Sequence, residues 1–405
     1  MSVRLSPKAL ALVNLYIPSI FISFGQGMAV PVIPILALTF DVSPGLAAQV
    51  VTAHILGRTL SFIPSGILVD RVGRKPAMVI GPVMIAIGSL VTALTPYFIV
   101  LLAAQAVTGA GAGLWQMGRE LTAVDLVKPD QRGRVMASFF GIGSVGMSLG
   151  PVIGGVLTDA IGFRAVFLAY MVMALAVLLV SLTIKETRQP SGPEKRPRFG
   201  LESIRAIEPY YRITFLVLIV ATNAAILRST SFNSMLPLYV GSELGFSTTT
   251  VGSLFGIMGV STLVCLMPAG FVSDKIGRKA ATGPSAALAA AVFVGLSFAR
   301  SYPTLAGLAV FLGIANAFSM GSMTAFTYDI APDSVKGQIQ AIRRTSGEVG
   351  GIAGPLVGGV IANFSGAGRV FLFFAPVHAL AAVLLLFVAR ESLVTKRRPG
   401  LAPPP

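Results

Sequence analysis

The ten residues Gly66-Ile-Leu-Val-Asp70-Arg71-Val-Gly73-Arg74-Lys75 return later in the chain as Gly270-Phe-Val-Ser-Asp274-Lys275-Ile-Gly277-Arg278-Lys279. The two copies stand 204 residues apart, and the same offset holds elsewhere. Gly146-x-x-x-Gly150-Pro151-x-x-Gly154-Gly155 recurs as Gly350-x-x-x-Gly354-Pro355-x-x-Gly358-Gly359, while Asp125 and Gly133 match Asp329 and Gly337. One register kept over so long a stretch marks a duplication. The chain reads as two copies of one structural unit.

Composition says what kind of unit. Of 405 residues, 54% are hydrophobic and 12% charged, with a mean hydropathy of +0.81. So few charges cannot cover the surface of a soluble protein. A helix crosses a bilayer with about 20 apolar residues. Runs of that kind fall near 10–38, 46–69, 77–95, 98–124, 135–158, 164–184, 212–240, 250–273, 280–299, 304–328, 336–362 and 369–389. The expected fold is all-α and integral to the membrane, with twelve transmembrane helices in two pseudo-symmetric six-helix bundles. The bundles occupy 1–184 and 212–390, a solvated linker rich in Pro, Lys, Arg and Glu fills 185–211, and 391–405 is a tail.

Lys and Arg set the orientation. They gather in alternate loops, as Arg71, Arg74 and Lys75, then Lys128, Arg132 and Arg134, then Lys275, Arg278 and Lys279, and again around the linker and both ends. The intervening loops hold only Arg164, Arg300 and Arg369. The positive-inside rule then predicts both termini in the cytoplasm of a multi-pass protein of the plasma (inner) membrane. The same alternation argues against nucleic acid as the partner of the net +15 charge, since no single basic face results. Cys265 is the only cysteine, and His54 and His378 are the only histidines. Neither a disulfide framework, a metal site nor a cofactor is expected. The first apolar run, broken by Pro18, Pro31 and Pro34, does not read as a cleavable signal peptide.

The Gly-x-x-x-Asp-Arg-x-Gly-Arg-Lys loop, found twice between the second and third spans of each half, resembles the signature of the major facilitator superfamily. The resemblance covers nearly the whole chain, apart from the linker and the tail after Glu391. It implies two bundles rocking about a central cavity in a monomeric transporter, with the substrate path at the interface of the repeats. It also implies that Asp70, Arg71, Arg74, Lys75 and Asp125, with Asp274, Lys275, Arg278, Lys279 and Asp329, latch the cytoplasmic side and release it during the cycle. Asp70 can pair with Arg74 and lies where a neighbouring helix N-terminus attracts its charge. Gly66 and Gly270 are expected to let helices approach closely.

The Gly150-Pro151 motif resembles the antiporter signature of drug–proton exporters. Its glycines bare one helix face, and Pro151 can bend the helix. Because Gly350, Gly354, Pro355, Gly358 and Gly359 repeat it, the motif reads equally as a packing seam between the halves. Those exporters carry an arginine on the fourth helix where this chain reads Gln105-Ala-Val-Thr-Gly109-Ala-Gly111. Proton coupling by that device is not implied.

A charge near the bilayer centre costs about 2.5–3.5 kcal/mol on insertion scales, so each one needs a partner or a task. Arg58, Arg119, Arg228, Arg343 and Arg344 fall within spans, against the acids Glu120 and Glu348. Arg58 and Glu348 lie at similar depth, and the resemblance sets the second helix beside the eleventh. They are expected to pair, with protonation of Glu348 loosening the pair and His54, one turn away, passing protons. The alternative partner of Glu348 is Arg344, four residues before it. Arg228, with no acid within a turn, can hold an anionic substrate group or pair with another helix. Arg119 and Glu120 are adjacent, point to different faces and are not expected to pair. Arg343 can snorkel towards headgroups. Asn14, Tyr16, Gln26, Trp115, Gln116, Asn223, Asn233 and Asn316 either line the cavity or glue helices together.

The resulting expectation is a secondary active transporter for a small molecule, coupled to protons and exporting amphiphilic or drug-like compounds. The alternative cargo is an organic anion or an anionic lipid-like molecule, because buried Arg outnumbers buried acid. A channel needs no pair of latched halves. For an enzyme or an ATP-driven pump the sequence offers no His-rich cluster, no Gly-Lys-Ser/Thr loop and no nucleophile elbow.

Overall fold

A computed structural model of the chain describes residues 7–126, 132–184, 186, 204–332 and 335–393, without the side chains of 7–14, 70, 124, 132–140 and 142. Within them the regular structure is helix throughout. The first half contains α1 (Pro7–Leu38), α2 (Pro44–Arg71), α3 (Arg74–Leu94), α4 (Phe98–Leu126), α5 (Arg132–Ile161) and α6 (Phe163–Thr183). The second contains α7 (Pro209–Leu236), α8 (Thr248–Lys275), α9 (Arg278–Phe298), α10 (Tyr302–Ile330), α11 (Lys336–Ser365) and α12 (Ala367–Val383). Wider π-helical turns, Pro237–Glu243 and Leu384–Val388, continue α7 and α12.

Local chemistry sets these ends. Ser43 Oγ accepts the Leu46 N–H at 3.3 Å and Pro44 opens α2, a cap followed by a residue whose missing N–H costs nothing there. Gly162 (φ 101°) and Gly366 (φ 91°) turn the chain into α6 and α12 through backbone angles that a side chain resists. Eleven of the twelve helices are long and apolar enough to cross a membrane. The exception, α11, has 30 residues, and Lys336, Arg343, Arg344 and Glu348 lower its hydropathy. Large apolar side chains stay on the surface, among them Met267 at 87% and Phe387 at 80% exposure, as lipid-facing helices require. The chain is a multi-pass membrane protein.

Two compact units form, one from Met1–Pro193 with Asn233–Gly259 and one from Glu194–Phe232 with Val260–Pro405. In the first, α3 packs on α4 and α6, α1 on α5 and α6, and α2 on α4. The second repeats the pattern, with α9 on α10 and α12. Its core gathers Phe215 and Leu218 of α7, Phe326 of α10, Ile339 of α11 and Leu385. Ile207 and Tyr211 join that core at 0% and 5% exposure, so the end of the expected solvated linker is folded. Their apolar surface has a core to join there.

The Gly-Pro motif closes a seam inside each half. A Cβ on Gly150 would lie 2.6 Å from the Phe24 carbonyl oxygen, and one on Gly154 2.7 Å from Met28 Cα, so α5 rests on the backbone of α1. Likewise a Cβ on Gly350 would come within 2.9 Å of the Asn223 carbonyl carbon on α7. Gly155 faces elsewhere, where its Cβ would stand 2.5 Å from the Thr248 carbonyl at the start of α8. Pro151 meets α8 as well, where a Cβ on Gly252 would lie 2.9 Å from the Pro151 carbonyl carbon. Gly358 and Gly359 are buried on α11. Gly66 and Gly270 do not do what was expected of them, because a Cβ on either meets nothing within 4 Å among the described residues.

Candidate transport site and gating network

The duplicated loops build the same device twice. Arg74, at the start of α3, donates from Nε to Asp125 Oδ2 on α4 at 3.0 Å. Arg278, at the start of α9, donates from Nε to Asp329 Oδ2 on α10 at 2.8 Å. Arg278 Nη1 also reaches Asp274 Oδ1 at 2.5 Å and Ser273 Oγ at 2.8 Å. The Asp70 side chain lies outside the described residues.

A second carboxylate completes each copy. The backbone N–H groups of Arg74 and Lys75 donate to Glu186 at 3.0 Å each. Those of Arg278 and Lys279 donate to Glu391 at 3.0 and 2.9 Å. The first N–H groups of a helix have no partner within it and carry partial positive charge, so a carboxylate there satisfies both needs. Gly73 (φ 130°) and Gly277 (φ 155°) make room for this, since a Cβ on Gly277 would lie 2.6 Å from Glu391 Oε2. Lys75 Nζ further donates to the Leu182 carbonyl at 2.8 Å, tying α3 to α6. Arg71 and Lys275 stay exposed. Sequence reasoning missed Glu186 and Glu391, although a glutamate follows the last span of each half.

The copies differ in burial. The Arg278 and Asp329 side chains are 9% and 2% exposed, against 16% and 22% for Arg74 and Asp125. A buried pair suffers more when one partner is lost, because the remaining charge is stranded out of water.

A third carboxylate joins helices of opposite halves within the first unit. Asp159, near the end of α5, accepts the N–H groups of Thr248 at 3.1 Å and Thr249 at 2.8 Å, where α8 begins. This too was not read from the sequence.

Arg119 on α4 is buried. Its Nη1 donates to Ser19 Oγ of α1 at 3.0 Å, its guanidinium lies 4.9 Å from the Trp115 ring centroid, and Nη2 stands 3.5 Å from Glu120 Oε1. The expectation that Arg119 and Glu120 avoid each other is therefore wrong. Adjacent Cβ atoms do diverge, but an arginine is long enough to fold back sideways. Gln116 Nε2 donates to the same Glu120 oxygen at 2.8 Å. Trp115 is 2% exposed and packed against Gly81, whose Cβ would lie 2.6 Å from Trp115 Cβ. The Gly109-Ala-Gly111 run also serves packing, with a Cβ on Gly109 falling 2.8 Å from the His54 carbonyl carbon. His54 and Arg58 are half-buried on α2, and Gln105 beside His54 donates to Thr92 at 3.0 Å.

In the second unit Arg228 donates from Nε to Asn316 Oδ1 at 3.0 Å and from Nη2 to Ser319 Oγ at 2.9 Å. Arg343 does not snorkel. It is buried, donating to Thr222 Oγ1 at 2.7 Å, to Thr324 Oγ1 at 3.2 Å and to Gln340 at 3.3 Å, because hydroxyls of α7 and α10 offer acceptors nearer than headgroups. Asn223 is helix glue, accepting the Gly350 N–H at 2.9 Å and donating to the Ile219 carbonyl at 3.0 Å. Tyr16, Gln26 and Asn233 are half-buried, as is Glu348, while Arg344 is exposed. The side chain of Asn14 lies outside the described residues.

Eleven apolar spans, two repeats of one helical pattern and a doubled charge network define a membrane transporter built by duplication. The sequence pattern of the Major Facilitator Superfamily matches residues 15–226 and again 213–404, and the chain belongs to that superfamily. It is 23% identical over 358 residues to Multidrug resistance protein 2 of Bacillus subtilis (strain 168), covering 85% of this chain and 86% of the relative. It is 25% identical over 344 residues to Multidrug resistance protein MdtG of Enterobacter lignolyticus (strain SCF1), covering 83% and 78%. The crystal structure of a D-xylose-proton symporter superposes with a TM-score of 0.75 at 18% identity, over 95% of this chain and 98% of that one. The protein is a transporter, not an enzyme.

Proposed function

We propose that the chain is a secondary active transporter of the inner membrane, exporting amphiphilic, drug-like compounds by proton-coupled alternating access. The observation that carries this reading is the doubled network, Arg74–Asp125 with Glu186 and Arg278–Asp329 with Glu391. Two equivalent latches at the cytoplasmic ends of two repeats suit a machine whose halves, 1–184 and 212–390, close and part there. The relatives named for multidrug resistance support the cargo class. Glu348 with Arg58 is the proposed proton switch, His54 its relay, and both termini are cytoplasmic.

Purified protein in liposomes, with an internal pH dye and candidate compounds added outside, tests this reading. Compound-dependent proton movement is expected in the wild type and lost in Glu348→Gln. Compound transport without proton movement, or full proton coupling in Glu348→Gln, overturns the coupling scheme. A second reading, an anionic cargo, is favoured by the neutral surroundings of Arg228.

A further inference from the structure

Several arginines among the described residues are accompanied by acids. Arg278 has Asp274 and Asp329, Arg74 has Asp125, and Arg119 has Glu120 together with the face of Trp115. Two depart from the pattern, and both belong to the second unit. Arg228 and Arg343 are 4% and 6% exposed, yet every hydrogen-bond acceptor they use is neutral. Among the described residues no carboxylate forms an ion pair with either. Hydroxyl and amide oxygens fix the direction of a guanidinium without cancelling its charge, and an uncancelled charge within the membrane is costly to keep.

The two cations share their supporting helices. On α7, Thr222 under Arg343 and Arg228 itself are six residues apart, a rise of about 9 Å. On α10, Ser319 and Thr324, which receive the two guanidiniums, are five residues apart, a rise of about 7.5 Å. Arg228 and Arg343 therefore follow each other along the same pair of helices. Arg228 uses Nε and Nη2 on the protein, and Nη1 donates to no acceptor among the described residues.

We propose that Arg228 and Arg343 form an anion-binding site between α7, α10 and α11, which takes the carboxylate, sulfonate or phosphate group of an amphiphilic solute. The site rests on the reading of the chain as a transporter of amphiphiles and gives that cargo its charge. Nη1 of Arg228 supplies the free donors, Asn316 and Ser319 hold the guanidinium in place, and Arg343 adds the second charge. The anionic group can come from a free solute or from a phospholipid headgroup.

The test uses the purified full chain and two probes with the same ring, naphthalene-2-sulfonate and 2-naphthyltrimethylammonium, with binding read by thermal stabilisation. The sulfonate is expected to bind about tenfold or more tightly than the ammonium compound, the size of one hydrogen bond to a charged group. Arg228→Gln and Arg343→Gln should each remove that preference, and Arg228→Lys should retain part of it. Equal binding of the two probes, binding of neither, or unchanged sulfonate affinity in both folded glutamine variants overturns the site. Should the variants fail to fold, the wild-type preference between the probes decides.

Displacement of the sulfonate by phosphatidylglycerol, but not by phosphatidylcholine, would make a headgroup the source of the anion. No displacement would make it a free solute. Flux into proteoliposomes separates this inference from the broader reading. Movement of the ammonium probe alone sinks the anion site and leaves the transporter of amphiphiles standing, whereas movement of neither sinks both.

Discussion

A side chain on residue 73 would have to occupy the place of the Glu186 carboxyl group, since a Cβ on Gly73 would lie 2.7 Å from Glu186 Cδ. The glycine also holds φ at 130°, where any other residue is strained. Glycine and glutamate, 113 positions apart, thus form one device for starting α3.

Glu186→Ala should lower stability by about 0.5–2 kcal/mol, the usual worth of a helix cap. Gly73→Ala should cost more, because it adds backbone strain and expels the cap together. Thermal unfolding of the purified protein checks both, and a double variant should fall short of the sum of the singles because the sites are coupled.

The two Arg–Asp pairs should answer differently to the same change. Asp329→Ala removes the buried carboxylate of Arg278, whose side chain is 9% exposed, leaves it the 67%-exposed Asp274, and should cost up to about 3 kcal/mol. Asp125→Ala leaves Arg74 at 16% exposure with water within reach and should cost less. Equal losses of melting temperature would contradict the assigned difference in burial.

Glycines of the repeated motifs divide into two groups. Gly154→Ala drives a methyl group into the α1 backbone beside Met28 and should sharply reduce the yield of folded protein. Gly270→Ala meets nothing within 4 Å and replaces the poorer helix former, so it should be neutral or stabilising by up to about 1 kcal/mol. Size-exclusion profiles and melting temperatures of both variants provide the check.

Asp159→Ala should loosen the start of α8. The N–H groups of Thr248 and Thr249 lose their carboxylate, so their hydrogen exchange should accelerate while the middle of α8 is unchanged. Unaltered protection at both threonines would mean that the contact is dispensable.

How much of this was legible beforehand depended on what kind of signal each feature carries. The 204-residue offset located the loops and matched Asp125 with Asp329, because duplication writes one pattern twice, while the resemblance brought Asp125 into the network. Helix existence followed from hydropathy, which is a property of long windows. Single contacts fared worse. Arg119 and Glu120 were separated on the direction of their Cβ atoms, but the length of the guanidinium decided the outcome at 3.5 Å. Gly66 and Gly270 sit inside the motif, where close packing is expected, yet a Cβ on either meets nothing within 4 Å among the described residues. Arg343 was placed near headgroups because its hydroxyl partners, Thr222 and Thr324, are 121 and 19 positions away. The glutamate caps escaped notice because each falls just past the last span, at the edge of what seemed linker or tail.

Those caps also carry a trace of the chain's history. Gly73 and Gly277 stand 204 positions apart, as do the first residues of α6 and α12, but Glu186 and Glu391 stand 205 apart. The extra position arises somewhere in the last helix of the second copy. There the regular winding gives way to the π turn Leu384–Val388, where Ala389 donates to the Leu384 carbonyl five residues back, at 2.8 Å. At the end of α6 the chain instead tightens, Ile184 donating to Ser181 at 3.3 Å. A π turn accommodates one residue more than the α-helix it interrupts. The widened turn takes up that extra residue, so the second glutamate keeps its hydrogen bonds from the start of α9 although it stands one place later in the count.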